Sequence, residues 1–291
     1  KKENIDKIEK QKVLMKECYI GVIEVLKEYI DTTEDNYTLI ALWILGSYFH
    51  SQFPTYPYLF FNAMRGSGKT RTLKLITHLQ DGGELLASLT EAVMFRQNNP
   101  IGIDEFESIN DKQKNALREL LNSAYKQGAI VKRLKKKHTL YGDEQVVETF
   151  NPYRPICLAN IFGIEEVLGD RCITLYLEKS ESSTITKIPE DYTSYTLVTS
   201  LKEKLNEFKK NVVQCSFLPD RTYIVTLLGA WHSYLKSTYT PNNTIYITTP
   251  NYIKDKQFII NNEELFKKID KAGIDGRNFE LFLPLFIMGK D

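Results

Sequence analysis

The chain has 291 residues, of which 42% are hydrophobic, enough for one large domain or two small ones with real cores. Its net charge of +1 excludes a global field that attracts nucleic acid, so any such binding needs a local basic patch. The longest apolar run is too short to span a bilayer, and the four cysteines form no C-x-x-C pair. We therefore expect a cytoplasmic, intracellular protein without disulfides, zinc or membrane contact.

Two helices are predicted at the start of the chain. Apolar residues recur at roughly helical spacing between residues 3 and 30, the pattern of an amphipathic helix. Asp35 or Asn36 is placed to cap a second helix that runs through Phe49, since short polar side chains favour that position. The segment "PTYPY" breaks this helix, and we expect residues 1–50 to form a helical unit that packs on the core.

Strands and helices alternate in the next part of the sequence. The short apolar strand "YLFFN" leads through glycines into the helix "GSGKTRTLKLITHLQ", which "DGG" ends. Ser88 and Glu91 have the spacing of a capping box and predict another helix. A buried strand in "PIGIDEFE" follows, and the helix "DKQKNALRELLNSAYKQG" then ends at Gly128.

The second half begins with a predicted β-hairpin, "AIVKRLKKKHTLYGDEQVVETF". Two strands, "RPICLAN" and "CITLYLE", flank a short helix, and the polar segment "KSESSTITKIPEDYTS" is predicted to be a linker. Helices are predicted at about 193–212 and 220–237, then a polar insertion at about 238–262 and a last helix in "GRNFELFLPLFI". This order predicts an α/β fold with a parallel sheet covered on both faces in residues 51–180, and a helical lid in residues 190–291.

A phosphate-binding loop is predicted between the first strand and its helix. The sequence matches the P-loop pattern, with alanine at the first position instead of glycine. Glycines let backbone N–H groups turn towards an anion, and the following helix directs its positive end at the same point. Lys69 would contact the β- and γ-phosphates of ATP and Thr70 would ligate Mg²⁺; the alternative is a glycine turn beside a surface lysine. The predicted ATP-binding residues are Ala63, Arg65, Gly66, Ser67, Gly68, Lys69, Thr70 and Arg71.

Two acids end the strand in "PIGIDEFE". Asp104 lies 35 residues after Lys69 and is placed to hold Mg²⁺ through a water. Glu105 beside it is placed to act as general base on the attacking water. After a P-loop, such a pair favours hydrolysis of the nucleotide over its storage, and the alternative is a pair of strand-end acids that face solvent.

Three further residues are candidate catalytic groups. Asn160 ends the strand "RPICLAN" and would orient the attacking water if this strand lies between the P-loop strand and the Asp104 strand. Arg171 precedes the next strand and is the candidate arginine finger, a group often supplied by a neighbouring subunit. Arg277 begins the last helix and is the candidate second arginine on the γ-phosphate. The alternatives are an asparagine that caps the next turn and arginines with surface or ion-pair roles.

With these residues in place, the chain resembles the AAA+ ATPases, in particular the helicase-like ATPases of phages, plasmids and other mobile elements. That group is often primase-associated and is distantly similar to the MCM helicases. The resemblance covers roughly residues 38–180, with a weaker match at 277–285, and rests on "NAMRGSGKTRTL", "PIGIDEFE", "YRPICLANI", "LGDRCITLYLEK" and "RNFELFLPL". It implies a three-layer AAA+ sandwich, ATP and Mg²⁺ as cofactors, a homo-oligomeric ring that is usually a hexamer, sensor 1 at Asn160 and sensor 2 at Arg277.

A basic segment lies on the predicted hairpin. In related ring helicases such a hairpin points into the central channel, where lysines can follow a phosphate backbone without reading its sequence. We therefore expect single-stranded DNA as a partner, and the alternative is a solvated run of charges. The predicted DNA-binding residues are Lys132, Arg133, Lys135, Lys136 and Lys137.

Three functions are consistent with these motifs. The first is an ATP-hydrolysing ring motor, a DNA helicase or translocase in the replication of a mobile element, phage or plasmid. The second is a non-motor AAA+ switch, such as a helicase loader or replication initiator, with a primase or other replication protein as partner. The third is a small-molecule P-loop kinase, which the paired acids of the Asp104 strand and the helical lid disfavour.

Overall fold

The fold comes from a computed structural model, which describes only part of the chain. The described residues are 2–87, 89–90, 93–94, 98–104, 115–139, 142–189, 191–215, 227, 230, 234, 238, 261–274 and 276–289.

Helices and strands alternate along the described chain. The helices are α1 (Lys2–Tyr29), α2 (Glu34–Ser47), α3 (Lys69–Leu79), α4 (Asn115–Ala124), α5 (Glu166–Gly169), α6 (Ser183–Thr186), α7 (Thr196–Cys215), α8 (Glu263–Lys271) and α9 (Gly276–Met288). The strands are β1 (Tyr58–Ala63), β2 (Glu84–Leu86), β3 (Ile101–Ile103), β4 (Val131–Thr139), β5 (Gly142–Phe150), β6 (Ile156–Asn160) and β7 (Cys172–Leu177). Among the described helices, none combines the length and the apolar character needed to cross a membrane.

Five strands form one parallel sheet in the order β2-β3-β6-β1-β7. β6 therefore lies between the P-loop strand β1 and the Asp104 strand β3, the order that the role expected of Asn160 requires. Because all five strands run in the same direction, the residues that follow them meet at one edge of the sheet, and the residues that precede them meet at the other. The remaining two strands, β4 and β5, pair with each other as the predicted antiparallel hairpin.

Both faces of the sheet are covered, which gives the predicted α/β layering. Alternate residues of β1 enter different clusters, because side chains of a strand point to opposite faces in turn. Leu59 and Phe61 join the cluster that includes buried residues of α1, α2, α3, α7 and α9. Tyr58 and Phe60 join the cluster that includes residues of α4 and of the segment around Met94.

The cap of α2 differs from the prediction. Thr33, and not Asp35 or Asn36, is the N-cap residue: its hydroxyl oxygen accepts a hydrogen bond from the Asn36 amide at 3.3 Å. Glu34 and Asp35 then fall in the first turn of the helix, where they interact favourably with its positive end. In the C-terminal half of α2, the buried Trp43 donates its indole N–H to the Pro57 carbonyl at 2.8 Å. This hydrogen bond connects α2 to the start of β1.

Other differences concern the connections. Strand β2 was not predicted, and the predicted linker after β7 contains the short helix α6, capped by the Ser182 side chain. Ser88 and Glu91, the predicted capping box, lie outside the described residues. So do most of the predicted helix at 220–237 and most of the insertion at 238–262.

Candidate functional site

The P-loop connects β1 to α3 at the carboxyl edge of the sheet. Ala63 ends β1 and is buried. Gly66 and Gly68 have φ angles of 81° and 82°, in the left-handed region that glycine enters without steric cost. Gly68 is the N-cap of α3 and Lys69 is its first residue, so the positive end of an 11-residue helix faces the loop.

Asp104 meets the P-loop helix at this edge. The Thr70 hydroxyl donates a hydrogen bond to Asp104 Oδ2 at 2.5 Å, and Lys69 Nζ lies 4.0 Å from Asp104 Oδ1. The side chains of Lys69 and Asp104 are only 13% and 14% exposed, so their attraction is screened less than on an open surface. The structure thus brings together the predicted lysine, threonine and aspartate, whereas Glu105 lies outside the described residues.

A cavity of about 1030 Å³ opens over the P-loop, a volume at the upper end of ordinary ligand sites. Five of its lining residues are basic and one, Asp31, is acidic. This imbalance suits a polyanion such as a triphosphate. The basic lining residues are Arg65, Lys69, Arg71, Lys74 and Lys179.

The opposite wall of the cavity was not predicted from the sequence. The end of α1 supplies Tyr29, Ile30 and Asp31, and the segment after β7 supplies residues between 179 and 192. The polar composition of this segment is typical of a linker and predicts no wall of a cavity. A partial signal was available in Ser182, whose side chain accepts from the Ile185 amide as a helix N-cap.

Arg71 belongs to this wall more than to the phosphate loop. Its guanidinium donates to the carbonyls of Ile185 and Ile188 at 2.6 and 2.9 Å. Its own carbonyl accepts from the Tyr192 hydroxyl at 2.6 Å. Arg71 therefore fastens the segment that contains α6 to the P-loop helix.

Asn160 ends β6 next to the P-loop strand, in register with Asn62. Its amide is fully buried and is occupied by the following turn. Asn160 Nδ2 donates to the Gly163 carbonyl at 2.9 Å, and its Oδ1 accepts from the Phe162 amide at 3.0 Å. The residue thus holds the turn that carries Ile161 and Phe162, both of which line the cavity.

Arg171 and Arg277 lie at the other edge of the sheet. Arg171 precedes β7, and its carbonyl accepts from the Tyr58 amide at the start of β1 at 2.9 Å. Its guanidinium donates to the Asn122 carbonyl at 2.8 Å. Arg277 forms an ion pair with Asp170 at 3.4 Å. Because Asp170 directly precedes Arg171 in the chain, the two arginines lie in the same region. The length of β1, about 17 Å, separates this edge from the P-loop of the same chain.

The hairpin carries its basic residues in two different cross-strand settings. Some face acids in register: Arg133 is opposite Glu148 and Lys137 is opposite Glu144. Others face neutral polar residues: Lys132 is opposite Thr149 and Lys136 is opposite Gln145.

Between these two lysines lies an exposed apolar pair, Leu134 and Val147, which are 69% and 54% exposed. Residues 131–150 contain five basic and three acidic residues, a net charge of +2.

Comparison with known proteins assigns no family. No protein-family model matches the chain, and no curated protein matches it. Among solved structures, the chain is similar to the apo A form of the NrS-1 C-terminal region, with 14% sequence identity and a TM-score of 0.35. The similarity covers 72% of this chain and 47% of the NrS-1 chain, so the chain spans about half the length of that structure. At this level of similarity the match assigns no function.

Proposed function

We propose that this chain is a Mg²⁺-dependent ATPase of the AAA+ type that works as a homo-oligomeric ring on single-stranded DNA. The observation that carries the proposal is the contact at 2.5 Å between Thr70, in the first turn of α3, and Asp104, which follows β3. Two sequence motifs that lie 34 residues apart in the chain thereby form one site. The basic cavity above them supports a triphosphate as ligand.

The residues at this contact fit Mg²⁺. A hydroxyl and a carboxylate are hard oxygen ligands, which this ion prefers. Among the described residues no group of three or more His, Cys, Asp or Glu side chains could hold a metal. That agrees with an ion bound through few protein ligands, substrate phosphates and waters. When bound with ATP, the ion would neutralise charge on the β- and γ-phosphates.

The side chains and backbone amides of this site have separate proposed roles in hydrolysis. Lys69 and the backbone amides of the P-loop hold the phosphates, and Asp104 and Thr70 hold the metal. Glu105, next in the chain to Asp104, is the proposed general base that takes a proton from the attacking water. Asn160 holds the turn after β6 that lines the cavity, and its predicted role in orienting the water stays part of the proposal.

The two arginines favour an assembled ring. Arg171 and Arg277 lie at the sheet edge opposite the P-loop of their own chain. Either can reach a γ-phosphate only if that phosphate belongs to a neighbouring subunit, as an arginine finger in trans does. A head-to-tail interface that closes into a ring gives every subunit such a neighbour.

The hairpin is the proposed DNA contact. Lys132 and Lys136 are exposed and can attract phosphates without reading bases. The same hairpin also supplies the observation that favours the second candidate function, a non-motor switch or helicase loader. Its net charge of +2 is modest, and a loader needs no strong contact with the translocating strand.

The test compares ATP hydrolysis with and without single-stranded DNA, at low and moderate salt, in the wild type and in Glu105→Gln. For the motor we expect hydrolysis that DNA stimulates, and loss of this hydrolysis in the variant because it lacks the base. A Glu105-dependent rate that DNA leaves unchanged would favour the switch or loader. No hydrolysis in the wild type would contradict the ATPase proposal.

A further inference from the structure

The cavity has a phosphate end and a far end. The phosphate end is set by the P-loop residues, including Thr70, which line the cavity; the Thr70 hydroxyl contacts Asp104. Asp104 follows β3, which lies on one side of β1 in the sheet, whereas β7 lies on the other side. The far wall is formed by residues 29–31 and by the segment 179–192 that follows β7. A nucleoside triphosphate with its terminal phosphates at the metal end therefore has its base at the far wall.

Aromatic and apolar side chains line this far wall. Tyr29 and Tyr192 are buried and stack with their ring centroids 4.7 Å apart, near Ile30 and Ile185. An apolar wall of this kind packs against a ligand but does not read the edge of its base. The Tyr192 hydroxyl is already used, because it donates to the Arg71 carbonyl. Recognition of the base edge needs a different polar group.

Asp31 is a charged residue at this wall. It is the acidic residue among the described cavity-lining side chains, in a cavity that otherwise has five basic ones. A carboxylate repels a triphosphate, so it weakens binding unless it gains a hydrogen bond to another part of the ligand. Asp31 Oδ2 accepts from the Ser180 hydroxyl at 2.7 Å, which orients the carboxylate at the wall.

We propose that Asp31 selects the nucleobase by accepting a hydrogen bond from an exocyclic amino group, the N6 amino group of adenine. This inference rests on the proposed function, because it requires a nucleoside triphosphate in the cavity. An ionised carboxylate is only an acceptor, so it favours a base edge that carries an N–H donor. A hydrogen bond to a charged acceptor is also stronger than one between neutral groups. Ser180 is a positioning residue for this contact.

The test measures the affinity of three ligands by calorimetry in the presence of Mg²⁺: ATP, purine riboside 5′-triphosphate and inorganic tripolyphosphate. The second ligand lacks only the amino group, and the third lacks base and sugar. We expect wild-type protein to bind ATP about tenfold more tightly than purine riboside triphosphate. Asp31→Ala should remove this preference and leave tripolyphosphate equally or more tightly bound, because a repelling charge is gone. Asp35→Ala is the matched control, since Asp35 is outside the cavity lining, and should keep the wild-type preference.

Two results would overturn the inference about Asp31. One is a preference for ATP that survives Asp31→Ala, and the other is an equal change in all three affinities. Lys69→Ala tests the proposed function separately, because it removes a phosphate contact and should weaken all three ligands. If Lys69→Ala changes neither ATP nor tripolyphosphate affinity, the nucleotide site itself is wrong. If Lys69→Ala weakens both and Asp31→Ala has no selective effect, only the assignment of Asp31 fails.

Discussion

The Thr70 hydroxyl donates to the Asp104 carboxylate at 2.5 Å and joins the first turn of α3 to the end of β3. No local pattern connects these residues, which are 34 positions apart. They meet because β1 and β3 are parallel strands of one sheet, so the residues that follow them share an edge. This relationship turns a phosphate loop and a strand-end acid into one candidate catalytic centre.

Asp104→Asn should separate metal use from nucleotide binding. The amide keeps the size of the side chain and can still accept from Thr70, but it loses the charge that holds Mg²⁺. We expect ATP hydrolysis to fall on the order of 100-fold or more, while affinity for ATP in EDTA stays the same or rises. Hydrolysis and calorimetry, each with and without Mg²⁺, check this. A hydrolysis rate within a few-fold of wild type would exclude Asp104 as the metal ligand.

Lys132→Gln with Lys136→Gln should weaken DNA binding more than Arg133→Gln with Lys137→Gln. Both variants remove two charges from one strand of the hairpin, but only the second pair is opposite glutamates in the backbone register, and opposite charges at paired positions generally offset each other. The measured quantity is the slope of log affinity for single-stranded DNA against log salt concentration. We expect the first variant to reduce the magnitude of this slope by about 1.4 per hairpin. Fluorescence anisotropy at several salt concentrations measures this slope. Equal losses in the two variants would show that the hairpin has no preferred binding face.

Local sequence patterns were sufficient to predict the parts of the site that depend on local conformation. The strand, glycine turn and helix around Lys69 were predicted from turn and helix signals, and the hairpin from its alternation. Both are present. The order of β1, β6 and β3 was inferred from the role expected of Asn160, and the sheet confirms it. What Asn160 does in catalysis remains a prediction, since its amide holds the next turn.

Tertiary contacts determine the parts that the sequence did not predict. The segment after β7 has polar composition and was assigned as a linker, yet Arg71 orders it through two backbone carbonyls. Arg154 is another example: a charged residue that is fully buried, donating to the Pro152 and Met94 carbonyls. The position of Arg171 was predictable in principle, because a residue that precedes a parallel strand must lie at the edge opposite the P-loop.

Gly102→Ala should destabilise the protein and disturb the acidic end of β3. A Cβ at this position would lie 2.6 Å from Thr77 Cγ2 of α3, in the middle of a packed sheet-helix contact. Overpacking of this kind costs about 1–3 kcal/mol. Thermal and urea unfolding measure the change. Gly276→Ala is the control, since a Cβ there would meet nothing within 4 Å, and equal stability of the two variants would contradict the close approach of α3 to β3.

The buried end of Lys202 should make stability rise at alkaline pH. Lys202 lies on α7, and its ammonium donates to the Gln80 carbonyl beside the Tyr48 ring. Burial lowers the pKa of Lys202 from 10.5 to about 8. Below pH 8 the lysine is charged in both folded and unfolded states, and the folded state bears the full cost of burying that charge. Between pH 8 and 10.5 the unfolded chain binds more protons, so the free energy of unfolding rises with pH.

Lys202→Met tests this mechanism because it keeps the apolar stem and removes the titrating group. We expect the variant to lose the rise between pH 8 and 10.5, a contribution of about 1–3 kcal/mol after allowance for partial exposure. Urea unfolding at intervals from pH 7 to 10.5 measures it. Lys210→Met removes a charge from an exposed position of the same helix and should keep the wild-type rise. If both variants retain the rise, another group is responsible and Lys202 stays charged in the folded protein throughout this range.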